Sequence, residues 1–237
     1  RLITTVHAEE NRIPVPISQV PQNLQNAFVA AEDVRFYEHH GVDPRGILRA
    51  VFANLTSGNA TGQGGSTITQ QLARNAFLTQ EQTLKRKLLE VVLAFEIESK
   101  YTKKQILEMY MNQIYFGQGC YGIQTAAHVY FGKDVKDLSL SQCAMLAGLP
   151  NSPNYYSPFR SLEAAKYRQG IVLDQMAKYG YISAADAQAA KAADVHLAKQ
   201  DKGKSGAGTA QYFINYVIQS ISDKYDSDAI YKEGLQV

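Results

Sequence analysis

Acid, base and aromatic groups crowd into Glu32-Asp33-x-Arg35-Phe36-x-Glu38-His39-His40-Gly41, where Gly41 and Pro44 should end a helix. The preceding Ala27-Phe-Val-Ala-Ala31 would partly bury Glu32 and raise its pKa toward the range of a general base, whereas a solvated charge run at a surface helix end is the plainer alternative. A second carboxylate lies in Arg86-Lys87-Leu-Leu-Glu90-Val-Val-Leu-Ala94. Leu84, Leu88, Val91, Val92 and Phe95 make one apolar face there and Leu89, Leu93 and Ile97 the other, so the spacing predicts a central helix hydrophobic nearly all round. Glu90 among such neighbours needs a partner, and Arg86 four residues earlier is the local one. The pair reads as a structural ion pair or as a cleft carboxylate with its cation.

Between these stretches, Gly64-Gly65-Ser66-Thr67-Ile68-Thr69-Gln70-Gln71-Leu72-Ala73-Arg74 feeds glycines into a hydroxyl-rich helix start. Free backbone N–H groups and a positive dipole end suit an anion, and Gln70 and Arg74 share a face at i and i+4. An ordinary Ser/Thr cap with a polar face explains the same residues. Two carboxylates suggest glycosyl chemistry, one moving a proton and the other stabilising charge at the sugar. The cations Arg74, Arg86 and Lys87 ask for an anion such as a phosphate or pyrophosphate leaving group. Together they favour transfer from a phosphate-activated sugar over simple hydrolysis.

The elements that must position these groups are mainly helical. Helical patterns cover Gln22–Glu32, Pro44–Leu55, Ser66–Phe77, Gln80–Lys100, Thr102–Tyr115, Ile123–Phe131, Ser139–Leu149, Leu162–Tyr179, Ser183–Ala193 and Gln211–Lys224. Leu2–Val6 and Arg12–Pro16 read as extended lead-in. Thr102 with Gln105, and Ser183 with Asp186, carry capping-box spacing, and Gly132 and Gly180 are helix stops. Ala144–Pro153 and Lys104–Asn112 read as core helices. Ile47, Leu48, Val51, Phe52 and Leu55 make an apolar stripe that is either core or a surface dipping into lipid. The glycine-rich Thr56–Gly65 is long enough to be a mobile or functional loop, and Lys199–Thr209 is the best linker.

Composition narrows the classes. The 237 residues, with 45% hydrophobic and 19% charged, are those of a globular chain with its own core. A net charge of 24 − 22 = +2 gives no bulk attraction for nucleic acid, so any anion site is local. Cys120 and Cys143 are too isolated for a disulfide framework or a zinc site and read as core residues. No apolar run approaches the roughly 18 residues of a membrane helix. A start at Arg1 and an end in mid-pattern at Val237 read as a piece of a longer chain. Gly117-Gln-Gly-Cys-Tyr-Gly122 matches a dinucleotide fingerprint by letter, but helical spacing precedes it where a strand is required. Gly203-Lys204-Ser205 lacks the glycine and strand of a phosphate loop and reads as linker.

With these residues in hand, the chain closely resembles the peptidoglycan glycosyltransferase (transglycosylase) domain of class A penicillin-binding proteins and monofunctional transglycosylases. The blocks that carry the resemblance stand in order: Glu32-Asp33-x-x-Phe36-x-x-His39-x-Gly41, Gly64-x-Ser66-Thr67-Ile68-Thr69-Gln70-Gln71, Arg86-Lys87-x-x-Glu90-x-x-x-Ala94, Tyr110-x-Asn112, and Ala144-x-Leu146-Ala147-x-x-Pro150-x-x-Pro153. They run from about residue 5 to residue 195. The resemblance implies a mainly α fold, with a lysozyme-like large lobe and a small, mobile, membrane-facing jaw lobe over about 42–65. It implies a glycosyltransferase domain over 1–200, followed at 201–237 by a linker toward a transpeptidase domain.

The implied reaction is polymerisation of lipid II into β-1,4 glycan strands, with inversion and release of undecaprenyl pyrophosphate, in cell wall synthesis. By that pattern Glu32 is the general base, and Glu90 with Arg86 meets the donor pyrophosphate, directly or through a divalent Mg or Mn ion. Asp33, Phe36, Arg49, Ser66, Thr67, Gln70, Gln71, Arg74, Arg86, Lys87 and Asn112 fall at substrate-binding positions of the family pattern. Arg74 replaces the usual lysine, a planar fork in place of a point charge. The implied partners are lipid II, the growing strand, the membrane surface and the inhibitor moenomycin, at the extracytoplasmic face of the bacterial cell membrane. A lysozyme-like lytic enzyme is the nearest rival and would not need Arg74 and Arg86. A non-catalytic glycan- or lipid-binding module is the other, and intact Glu32 and Glu90 speak against it.

Overall fold

The computed structural model describes residues 13–48, 65–77 and 83–199. After a 3-10 turn at Ile17–Gln19, helices follow at α1 (Gln22–Glu32), α2 (Ile68–Phe77), α3 (Leu84–Lys100), α4 (Lys103–Gln113), α5 (Ile123–Phe131), α6 (Leu140–Gly148), α7 (Leu162–Lys178) and α8 (Ala184–Ala192). Residues 44–48 are helical as well. No strand occurs among the described residues, where Tyr115 and Tyr121 form an isolated antiparallel bridge. The mainly α expectation holds. The extended stretch at Leu2–Val6, the Gly203-Lys204-Ser205 stretch, the 201–237 connection and most of the jaw lobe, including Arg49, lie outside the described residues.

Helix α6 is the centre of the fold, packing against α1 and α7. Its segment Leu140-Ser-Gln-Cys-Ala-Met-Leu-Ala-Gly148 has no charged side chain, so residues 141–149 are buried without penalty on every side. Ser139 and Gln142 close a capping box at its start, a cap of the kind foreseen and found at Thr102/Gln105 and Ser183/Asp186. Cys120 and Cys143 are free and buried, and burial pushes their thiols up to about 11 and about 12. Helix α1 buries Leu24, Ala27, Phe28, Val29, Ala30 and Ala31 against α6 and α7, which carries Glu32 to the edge of the core.

The expectation of a central α3 is corrected. Helix α3 packs on α2, with a smaller contact to α4, and buries only Glu90, Ala94 and Ile97. Leu84, Leu88 and Val92 remain 87%, 69% and 60% exposed, and Phe95 and Leu89 are exposed with them. The spacing counted apolar residues correctly, but a single neighbouring layer covers only one stripe of a helix. The fingerprint-like glycines form a tight turn instead of a nucleotide loop: Gly122 sits at φ +80°, and a Cβ there would lie 2.9 Å from the Asn112 carbonyl oxygen.

Candidate active site

Glu32 is the last residue of α1, immediately before the chain leaves the helix at Asp33. Its Oε2 accepts a 2.9 Å hydrogen bond from Gln71 Nε2 on α2, and Tyr110 Oη on α4 donates to Gln71 Oε1 at 3.2 Å. Its Oε1 is buried and has no hydrogen-bond partner among the described residues. Burial pushes the Glu32 carboxyl above the ordinary carboxylate range. The Gln71 hydrogen bond and the charges of Arg168 and Arg74 pull it back, while Asp33 adds to the rise. A carboxylate with one oxygen held and the other free has the form of a poised proton acceptor.

The residues flanking Glu32 make a frame. Asp33 accepts from the backbone N–H of Ile68 at 3.0 Å and pairs with His39 Nε2 at 2.9 Å, so it joins the end of α1 to the start of α2. Thr67 and Gln70 satisfy each other reciprocally: Gln70 N donates to Thr67 Oγ1 at 3.1 Å, and Thr67 N donates to Gln70 Oε1 at 3.0 Å. That is a capping box. Thr67 Oγ1 also donates to the Gly41 carbonyl at 2.6 Å. Gly41, at φ +89°, leaves room for the Ala94 backbone, since a Cβ would stand 3.0 Å from it. Phe36 is fully buried, with Lys103 Nζ 4.5 Å from its ring centre. Asp33, Phe36, Thr67 and Gln70 therefore lie in this scaffold, and Gln70 turns into the cap instead of sharing an open face with Arg74.

Glu90 is 0% exposed and both of its oxygens are held. Arg86 Nη1 donates to Oε1, and Lys87 Nζ donates to Oε2 at 2.8 Å. Lys87 Nζ also donates to Ser66 Oγ at 2.8 Å, joining this cluster to the start of α2. Two cations on one buried carboxylate leave a local positive excess. The Glu90 cluster by itself does not fit a divalent ion. Glu90 is already neutralised, and no group of three potential ligands occurs among the described residues. An open pocket of about 240 Å³, solvent-filled mouth included, is lined by Glu32, Asp33, Val34, Asp43, Gly46, Gly65, Ser66 and Thr67. Ser66 thus connects the Glu32 pocket to the Glu90 cluster.

Asn112 stands apart from these groups. Its Nδ2 donates to the Val15 carbonyl at 2.8 Å and its Oδ1 accepts from the Val15 N–H at 3.0 Å, stapling the extended lead-in to α4. Two residues near the site were given no role there by the sequence. Tyr110 stands in one of the blocks that carry the resemblance, with no hint of its partner. Arg168 on α7 is 3% exposed, its Nε and Nη2 are buried without hydrogen-bond partners among the described residues, and its Cζ lies 5.9 Å from the Tyr156 ring centre. Gly148 makes room for it, because a Cβ there would meet Arg168 Cγ at 2.9 Å. No described helix is long and apolar enough to cross a membrane.

Comparison with known proteins gives this arrangement its family. The transglycosylase family model matches residues 1–177. Penicillin-binding protein 1F of Bacillus subtilis (strain 168) is 46% identical over 91% of this chain and 30% of its own length. Penicillin-binding protein 1A of Escherichia coli (strain K12) is 44% identical over 98% of this chain and 27% of its own. The crystal structure of penicillin-binding protein 1A from Haemophilus influenzae shares the fold, with a TM-score of 0.54 at 24% identity over 94% of this chain and 23% of that one. The chain spans less than a third of the length of these relatives. It belongs to the transglycosylase family and is a glycosyltransferase domain of the kind found in penicillin-binding proteins 1A and 1F.

Proposed function

We propose that the domain polymerises lipid II into β-1,4 glycan strands for the bacterial cell wall, with inversion at the anomeric carbon and release of undecaprenyl pyrophosphate. The observation that carries this reading is the buried, unpartnered Oε1 of Glu32 beside an oxygen held by Gln71. In it, the acceptor's 4-hydroxyl lies against Oε1. Its proton passes to that oxygen while O4 attacks the donor's anomeric carbon and the bond to pyrophosphate breaks. Attack opposite the leaving group inverts the centre. Arg74, Arg86 and Lys87 take up the charge gathering on the pyrophosphate, and Glu90 holds the last two in place against their mutual repulsion. Lysozyme-like hydrolysis makes no use of that cation cluster.

A Mg or Mn ion acting here would be held by the substrate's phosphates, because Glu90 has no free oxygen for it. The membrane surface is the natural platform for a lipid-linked donor, and the exposed row Leu84, Leu88, Val92 and Phe95 supports contact with it at the extracytoplasmic face. A transpeptidase domain is the proposed neighbour in the full-length chain, and moenomycin, as a donor-strand mimic, the proposed inhibitor. Glu32→Gln tests the base. It should abolish polymerisation while leaving moenomycin binding within about threefold, since the neutral amide keeps the shape and loses only the proton acceptor. Retained turnover would overturn the assignment.

A further inference from the structure

We propose that Tyr110 is a positioning residue for the base: its hydroxyl fixes which way round the Gln71 amide stands, and so which oxygen of Glu32 is left to react. This rests on Glu32 being the base. A glutamine amide has two orientations related by a half-turn, which exchange a donor for an acceptor. Burial holds the Tyr110 phenol far above its ordinary range, so it keeps its proton and stands as a donor. A fixed donor selects the Gln71 carbonyl at 3.2 Å and turns the N–H group toward Glu32 Oε2 at 2.9 Å. The reversed amide would set its carbonyl oxygen against a carboxylate.

Tyr110 is also rigid enough for the task. It is fully buried, and its ring meets Phe28 of α1 edge-on at 6.0 Å and 84°. Its ring therefore touches the helix that carries the base, and its hydroxyl touches α2, which carries the base's donor. The other groups bearing on Glu32 are Arg168 from α7, Arg74 from α2 and Asp33 beside it. Helix α6, also packed on α1, carries no acidic or basic side chain. None of these changes in Tyr110→Phe, which removes one oxygen and keeps the ring.

The test is a carboxyl 13C NMR titration of the glutamate-labelled domain, with Glu32→Gln to assign the signal, beside polymerisation rates across pH. Tyr110→Phe should raise the Glu32 titration by about half a unit to one unit, as expected when an ordered hydrogen bond to the ionised form is weakened. The acid limb of kcat should move up with it, so that kcat at a pH on that limb falls about three- to tenfold with KM unchanged. Gln71→Leu should give a shift of the same sign, and the double variant should shift no further, because Tyr110 acts through Gln71. An unmoved titration, an additive double variant, or a slower enzyme with an unchanged pH profile would overturn the proposal. The titration uses no substrate, so a wild-type domain that makes no polymer would sink the proposed reaction and leave the Tyr110 result standing on its own.

Discussion

Replacing Arg86 with methionine separates a buried charge pair from a surface one inside a single cluster. Glu90 is fully buried, the Arg86 side chain is 15% exposed and the Lys87 side chain 44% exposed. Stripping one partner from a buried ion pair costs about 3–5 kcal/mol. Lys87 stays on Oε2 at 2.8 Å in the variant and offsets part of that loss, leaving about 2–3 kcal/mol. For a domain of this size that corresponds to a fall in Tm of roughly 5–10 °C. Lys87→Met removes a half-exposed cation whose place solvent can take only in part, and should cost less than Arg86→Met, about 1–2 kcal/mol. The double variant Arg86→Met/Glu90→Met exchanges a buried pair for apolar volume and should return to within about 1 kcal/mol of wild type. Calorimetric or circular-dichroism melts of the four proteins decide it. Equal effects of the two cation variants, or a double variant as unstable as Arg86→Met, would refute the buried-pair account.

Two further outcomes follow from the same geometry. Glu32 is raised in the fold, so the native state binds its proton more tightly than the unfolded chain, and stability falls as pH climbs from the ordinary carboxylate value through the raised one. Glu32→Gln cannot ionise and should melt higher than wild type at about pH 7, with the gain vanishing by about pH 4. An equal gain at both pH values would contradict the raised carboxyl. Asn112→Ala leaves the Val15 N–H and carbonyl without their partner and should cost about 1–3 kcal/mol while the KM for the donor stays unchanged. A higher KM with unchanged Tm would put Asn112 at the substrate.

Much of this domain is written locally in its sequence. The end of α1 at Glu32, the capping boxes at Thr102 and Ser183 and the charge-free run of α6 follow from spacing and residue type alone. Glu90's need for a cation was equally readable, and Lys87 joined Arg86 in meeting it. What spacing could not supply is the identity of the covering neighbour. Helix α3 is apolar on two sides, but packing against α2 uses only the stripe of Glu90, Ala94 and Ile97. Gln70 has the look of an outward polar residue until its partner is known to be the Thr67 backbone. The Asn112–Val15 staple spans 97 positions, and Arg168 reaches the site from α7, so neither leaves a local pattern. Glycines read as turns acquire a second meaning at Gly41, where the Ala94 backbone passes close by.

The most direct measurement incubates the domain with lipid II in detergent and a divalent cation, and resolves the products by size beside a moenomycin control and the Glu32→Gln variant. A moenomycin-sensitive ladder of lengthening strands, absent from Glu32→Gln, is the predicted result. Shortened glycan from a polymeric substrate, with no ladder from lipid II and no moenomycin binding, would contradict the polymerase reading and favour a lytic enzyme on the same fold.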